Sequence, residues 1–409
     1  MARILYVSQY FVSGDEPGGV RHWQHCRALA RAGHDVTVVT SYVQHKGRTI
    51  PEEYRGKRIV HTEEDGLHVV RTYATPGYGG DRRSRMSNYA TFTLWSALAE
   101  LRLPRPDVVV ASSPQLPAAA AAAGVAQARR SRFLLEVRDL MPESAVVMGM
   151  FTNPRIIGAL TRMEHYCYRR ADRIVALTEG IRQGVIRSGV VPAGKVSLIT
   201  NGVDLDVVPS SPEPAVLPVP DDAFVAMFVG AHGAYSSLET VIAAAGLLQD
   251  DPGIRVVLVG AGDRKEALQE QARDINLTNI AFIDPVPKRE VPAYLARADL
   301  CLLPYRDHPL FAGALPNKVF DYLAAGRPIL AAAPEGELTR VIDDAACGWS
   351  VPPEDPAAMA AAIRSAAADR AAASAMGSAG REYALAHFDR ARLADRFVGL
   401  VDDLAAGAR

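Results

Sequence analysis

Lys318 and Asp321 stand three residues apart in the stretch 315–330, L-P-N-K-V-F-D-Y-L-A-A-G-R-P-I-L. At helical spacing they share one face of the first turns. A cation beside a helix N-terminus suits a diphosphate, and a carboxylate one turn on suits the two hydroxyls of a ribose. A solvated ion pair is the plain alternative. A second group, Glu136-Val-Arg138-Asp139-Leu-Met-Pro142-Glu143, puts Glu136, Arg138, Asp139 and Glu143 at the end of an apolar run. Charges there are costly to bury unless paired or used, and Arg138 with Asp139 or with Glu143 is the simplest pairing.

Three glycine loops follow apolar runs. Gly18-Gly19, after the first run, can bring bare backbone N–H groups close to an anion, or can simply make a tight turn. Gly230-Ala-His232-Gly233 offers a backbone nest with an imidazole beside it for a phosphate, again against an ordinary turn. Gly260-Ala-Gly262-Asp-Arg-Lys265 begins like G-x-G-x-x-G but has Lys265 where the third glycine belongs, so a nucleotide-proximal loop or a plain turn is expected. Asp204-Leu-Asp206 spells D-x-D, but it lies at an Asn-Gly turn with no further acidic ligands, and no metal site is read there. His22 and His25 lack a third ligand, so an exposed helix face accounts for them.

These residues need elements to aim them. The apolar run 300–303 reads as a buried parallel strand. The helix after it is punctuated by Pro316-Asn317 at its start and Gly326 at its end, and another strand follows at 329–333. Such a helix turns its positive end toward the side where α/β folds bind ligands. Further strands are expected near 3–8, 35–40, 68–72, 107–111, 132–136, 173–177 and 196–200, then near 223–230, 255–260, 279–283 and 299–303, with helices between. The segment 207–220 holds five prolines and reads as a linker. The fold class is therefore α/β, with two Rossmann-like domains whose parallel sheets face each other across a cleft. Their expected bounds are 1–206 and 207–387, with a last helix over 388–409 crossing back to the first domain. The helix after Asp81-Arg-Arg-Ser-Arg85 carries Met86, Tyr89, Leu94, Ala97, Leu98 and Leu101 on one stripe, which suits a core helix or an interfacial one.

The totals exclude several classes. A formal net charge of −1 over 409 residues gives no field to recruit nucleic acid, and 49% hydrophobic with 22% charged residues is ordinary for a globular chain. Cys26, Cys167, Cys301 and Cys347 are scattered without a C-x-x-C pair, which fits a reducing cytoplasm. The chain opens on a strand without the leader of a signal peptide. A cytoplasmic protein is expected, with peripheral contact at the inner face of the membrane left open.

Together these stretches resemble the retaining glycosyltransferases of family 4, with the GT-B architecture, most closely the branch around WbuB-type amino-sugar transferases. The resemblance rests on Arg3-Ile-Leu-Tyr-Val-Ser-Gln-Tyr-Phe11, Glu136-Val-Arg-Asp-Leu-Met-Pro-Glu-Ser144, Ala176-Leu-Thr-Glu-Gly180, Asn201-Gly-Val-Asp204 and Pro316-Asn-Lys-Val-Phe-Asp-Tyr-Leu-Ala-Ala-Gly326. It implies a metal-independent hexosyltransferase with no cofactor. A nucleotide sugar, with UDP the first choice, would give a hexose or N-acetylamino sugar to an acceptor hydroxyl in glycan or natural-product biosynthesis.

The donor would be held by Asn317, Lys318, Asp321, His232, Gly233, Gly18 and Gly19, with its base near Pro285 and Val286 in the 283–288 loop. Lys318, Arg138 and Asp139 would act on the chemistry. The acceptor, a lipid-linked saccharide or a small aglycone, would enter past Gly18-Gly19. Retention in this family is attributed to attack from the face the diphosphate leaves. The wider family has two glutamates here with seven residues between them. This chain has Gly313 at the first and Asp321 at the second, and Arg138 where a histidine touching the donor sugar is common. A sugar-nucleotide 2-epimerase and a non-catalytic nucleotide-sugar-binding protein are the alternatives of the same architecture.

Overall fold

The computed structural model describes residues 1–11, 21–43, 50–76, 82–147, 149–203 and 212–407. They form two compact units, Met1–Thr200 with Leu393–Arg409, and Asn201–Arg392.

The first unit carries strands β1 (Arg3–Val7), β2 (Asp35–Ser41), β3 (Ile59–Glu64), β4 (Leu67–Thr72), β5 (Val108–Ser112), β6 (Arg132–Val137), β7 (Arg173–Ala176) and β8 (Val196–Leu198). Its helices are α1 (Arg21–Arg31), α2 (Arg82–Arg102), α3 (Leu116–Arg129), α4 (Glu143–Val147), α5 (Pro154–Arg170) and α6 (Glu179–Arg187). The sheet order is β3-β4-β2-β1-β5-β6-β7-β8, parallel throughout except that β3 runs antiparallel to β4. Continuous apolar strands are buried on both faces. Ile4, Tyr6, Val110 and Leu134 pack with Leu29 of α1, while Leu5, Val7, Val109 and Leu135 pack with the alanines of α3. Small alanine side chains let α3 lie close on the sheet, so the run 118–123 is a core helix face.

The second unit has β9 (Phe224–Val229), β10 (Ile254–Val259), β11 (Ile280–Ile283), β12 (Leu300–Pro304), β13 (Ile329–Ala332) and β14 (Gly348–Val351). Between and after them come α7 (Leu238–Leu247), α8 (Lys265–Asp274), α9 (Val291–Arg297), α10 (Asn317–Ala324), α11 (Glu337–Asp344), α12 (Pro356–Ala368) and α13 (Arg370–His387), and the last helix, α14 (Arg390–Ala406), belongs from Leu393 onward to the first unit. The order β11-β10-β9-β12-β13-β14 is parallel throughout. Strand succession reverses between β9 and β12 here, and between β1 and β5 in the first unit. Open α/β sheets bind ligands beyond the carboxyl ends of the strands at such a reversal.

Strands β3 and β14 are additions to the expected set. Strand β3 is a half-exposed edge element, I-V-H-T-E-E, whose charged outer face hides it from a search for apolar runs. None of the expected stripe on α2 is buried: Met86, Leu94 and Leu101 are 58%, 55% and 49% exposed and Tyr89, Ala97 and Leu98 half-buried, while the helix buries Phe92 and Ala99 instead. The buried face of that helix runs through Asn88, Phe92, Ser96, Ala99 and Glu100, beside the expected stripe rather than along it.

Candidate functional site

In the second unit, the site is built at the reversal between β9 and β12. Helix α10 forms because Val319, Phe320, Tyr322, Leu323 and Ala324 bury one broad face. It stops at Gly326, whose φ of +62° is the left-handed stop expected of a C′ glycine. Pro316 is the N-cap and Asn317 the first helical residue, so the N-cap side chain makes no hydrogen bond to the amino end. Tyr322 ties the helix down, its phenol oxygen accepting a hydrogen bond of 3.0 Å from the Val229 N–H at the end of β9.

That tie sets Lys318 against Gly230. The Lys318 Nζ lies 5.1 Å from the centroid of the Phe228 ring. A Cβ at Gly230 would stand 2.1 Å from the lysine Cε, and Gly230 has φ +152°. Gly260 is bound by the same crowding, since a Cβ there would fall 1.9 Å from the Gly230 carbonyl oxygen, at φ +144°. Two bare backbone turns thus stack at the ends of β9 and β10. They are joined by the His232 N–H to Ala261 O at 3.0 Å and by the Arg264 N–H to His232 O at 3.1 Å. Lys265, where a third glycine would stand in a dinucleotide loop, spends its ammonium on Gly260 O, Ile283 O and the Asp284 carboxylate.

Charge is distributed unevenly here. Burial pulls the Lys318 pKa down to about 8, with Asp321 opposing. No carboxylate pairs with its nitrogen among the described residues. Asp321 instead accepts two bonds from Lys288, at 2.7 and 2.6 Å. The expected alternative of a Lys318–Asp321 ion pair is therefore corrected: Lys288 reaches Asp321 from the loop that holds exposed Pro285 and half-buried Val286. His232 is fully buried with neither ring nitrogen hydrogen-bonded among the described residues, and burial, then Lys265 and Lys318, lower its pKa to about 4. Gly233 ends the same loop. Asn317 is exposed, its Oδ1 accepting from Asn201 Nδ2 at 2.8 Å. Gly313 closes the 3-10 turn Pro309–Gly313 that precedes α10.

The first unit holds a second cluster at the carboxyl ends of β1, β5 and β6. Glu136 is fully buried. Burial alone would raise its pKa, but the guanidinium of Arg21 first, and that of Arg138 with it, hold it well below the usual carboxylate range. Arg21 Nε lies 2.9 Å from Glu136 Oε2, and its Nη2 donates to Ile199 O at 2.8 Å. His22 and His25 are buried as well, which corrects the exposed face expected of them. His22 Nδ1 is 2.8 Å from the Tyr6 hydroxyl, and the His25 ring stacks on Phe397 at 4.0 Å between centroids. The physical reason is the buried Glu136 charge, which draws this face of α1 inward.

Arg138 makes neither expected pair, with Asp139 or with Glu143; its Nη1 lies 2.9 Å from His22 Nε2 instead. Asp139 is exposed beside it. The loop is held from below by Leu140, which fills the space a Cβ on Gly184 would need, and by the Met141 N–H to Glu164 Oε1 at 3.1 Å. Gly18 and Gly19, and Asp204 and Asp206, lie outside the described residues. Among the described residues, no three His, Cys, Asp or Glu side chains gather as metal ligands would. No helix there is long and apolar enough to cross a membrane.

Sequence reasoning missed Lys288, Tyr322, Tyr6 and the use made of Arg21 and His22. A buried Glu136 required a cation, and that much was written in the sequence. Which cation answered it was a matter of residues more than a hundred positions apart.

Comparison with known proteins finds two family models along the chain, a glycosyl transferase 4-like domain over residues 18–202 and glycosyl transferases group 1 over residues 223–369. WbjE of Pseudomonas aeruginosa, named a probable glycosyltransferase, is 26% identical over 57% of this chain and 59% of its own length. WcaI of Escherichia coli, named for glycosyl transfer in colanic acid biosynthesis, is 24% identical over 83% of this chain and 85% of its own. The structure of Anabaena HepE in complex with UDP and glucose superposes with a TM-score of 0.69 at 15% identity, covering 98% of this chain and 100% of that one.

Proposed function

The chain belongs to the family 4 glycosyltransferases of GT-B architecture, and from that premise we propose that it moves a hexose or N-acetylamino sugar from UDP to an acceptor hydroxyl, with retention and without a metal ion. The observation that carries this reading is Lys318, a half-buried cation at the amino end of α10 with no carboxylate on its nitrogen among the described residues. As the glycosidic bond opens, about two negative charges gather on the leaving diphosphate. Helix dipole, bare backbone N–H groups and an ammonium answer that charge without reorganising.

In this reading Asp321 takes the ribose, Pro285 and Val286 flank the base, and the His232–Gly233 turn and Asn317 border the phosphates. Arg138 and Asp139 meet the sugar, and Gly18-Gly19 lies on the acceptor's path. The stretches 136–144 and 316–326 further favour the WbuB-type amino-sugar branch. UDP is supported by the relative in whose structure it is bound. Peripheral membrane contact is supported by the exposed Met86, Leu94 and Leu101 of α2, and the acceptor is a lipid-linked saccharide or a small aglycone.

The test is saturation-transfer NMR against UDP-, GDP- and ADP-sugars, followed by transfer assays with and without excess EDTA. UDP-sugar binding is expected, with turnover that persists in EDTA and a product keeping the donor's anomeric configuration. Lys318→Ala should lower turnover at least tenfold with the fold intact. Conversion of the donor alone to an epimer, or binding without transfer or hydrolysis, would replace this reading with one of its two rivals.

A further inference from the structure

The side chain of Arg138 makes one hydrogen bond among the described residues, from Nη1 to His22 Nε2 at 2.9 Å. A guanidinium has only donors, so Nε2 must present a lone pair. The ring proton then sits on Nδ1, which faces the Tyr6 hydroxyl at 2.8 Å. Adding a second proton would aim an N–H at an N–H and set two cations in contact. The arrangement therefore admits one state of the imidazole, neutral and protonated on Nδ1.

The mounting of this ring is stiff. His22 has a side-chain exposure of 3%. Glu136 lies behind it, its Oε1 3.7 Å from His22 Nδ1 and 3.3 Å from the Ser112 hydroxyl, its Oε2 2.9 Å from Arg21 Nε. Arg21, one residue before His22, also donates to the carbonyls of Ile199 and Thr200. The start of α1 is thereby pinned to the ends of β5 and β6 and to the chain beyond β8, and the imidazole is offered to Arg138 from a fixed place.

We propose that His22 is a positioning residue: a neutral acceptor that holds one Nη of Arg138 and so aims the other at the donor. The proposal rests on the reading that Arg138 meets the donor sugar or its leaving phosphate. A histidine that merely fills core would be replaceable by any side chain of similar volume. A positioning one needs an acceptor atom where Nε2 now stands, and the carbonyl oxygen of glutamine can reach that place.

The test is steady-state kinetics of the full chain with its transferred sugar nucleotide, comparing His22→Leu, His22→Gln, Arg138→Ala and the double variant His22→Leu/Arg138→Ala. His22→Leu is expected to lower kcat at least tenfold with donor KM within about twofold, and His22→Gln to recover most of the loss. The double variant should equal Arg138→Ala within about twofold, because both changes remove one interaction. Multiplied losses, or a wild-type kcat in His22→Leu, would overturn the proposal. Wild-type turnover in Arg138→Ala would overturn the role of Arg138 and the proposal with it, while leaving the Lys318 test of the transferase reading untouched. Should His22→Leu fail to fold, 15N spectra of the histidine rings in the wild-type protein decide the matter. An Nε2–H tautomer or an imidazolium for His22 at neutral pH refutes it.

Discussion

Lys318 is an ammonium in a half-buried place, and its chemistry follows from that. Burial has drawn its pKa down to about 8, into the range where an enzyme works. The protonated form is the one that attracts a diphosphate, so binding is at full strength below that pKa and is lost above it. Donor kcat/KM, which reports the free enzyme, should be flat below about pH 8 and then fall tenfold per pH unit; a profile flat to pH 10 would mean that the lysine does not bind phosphate.

Glu100 offers a second test at the same scale. It is fully buried in α2 with neither carboxylate oxygen hydrogen-bonded among the described residues, and burial pushes its pKa up to about 8. The folded chain then keeps a proton that the unfolded chain loses near the ordinary carboxylate value. Stability is fully present below that value and falls as pH rises toward 8, by about 1.4 kcal/mol per pH unit. Glu100→Gln should remove this slope, so its melting temperature relative to wild type should rise between pH 5 and pH 8.

Among the elements, α10 and the turns after β9 and β10 act as one device. Tyr322 fixes the helix to Val229, Gly230 makes room for the lysine stem, and Gly260 makes room for Gly230. Gly260→Ala must move the Gly230 carbonyl, and it puts an L side chain at a φ costing on the order of 1–3 kcal/mol. Calorimetry should show a lower melting temperature and at least tenfold weaker UDP binding. Unchanged binding would uncouple the turn from the site. The hairpin β3–β4 shows what a different scan would have gained, since Asp65-Gly66 between 59–64 and 67–72 is a strong two-residue hairpin signal. That signal lies in the turn, while strand β3 itself is a half-exposed edge element with charged side chains and no continuous apolar run.

At the scale of the whole chain, the division into two units does not follow the sequence linearly. Residues from Leu393 onward belong with the first unit, where Leu393, Phe397, Val401 and Leu404 are buried beside Tyr6 and Cys26. Each such side chain contributes roughly 1.5–3 kcal/mol, so together they rival the whole stability of a domain. Truncation before Arg390 should therefore unfold the first unit, seen as loss of amide protection in β1 and β2. Protection retained there would show that α14 is dispensable.

The sequence by itself determined the alternation of strand and helix, the glycine turns after β9 and β10, the stop at Gly326 and the position of Lys318 at a helix start. Each is set by neighbours within a few residues, through backbone conformation and apolar periodicity. Only the tertiary structure decided that Lys288 rather than Lys318 pairs with Asp321. It alone decided too that His22 and His25 turn inward, and that Arg138 leans on a histidine rather than on a nearby carboxylate. These choices are competitions among charges brought together by folding, and burial decides between them on grounds that no local spacing records.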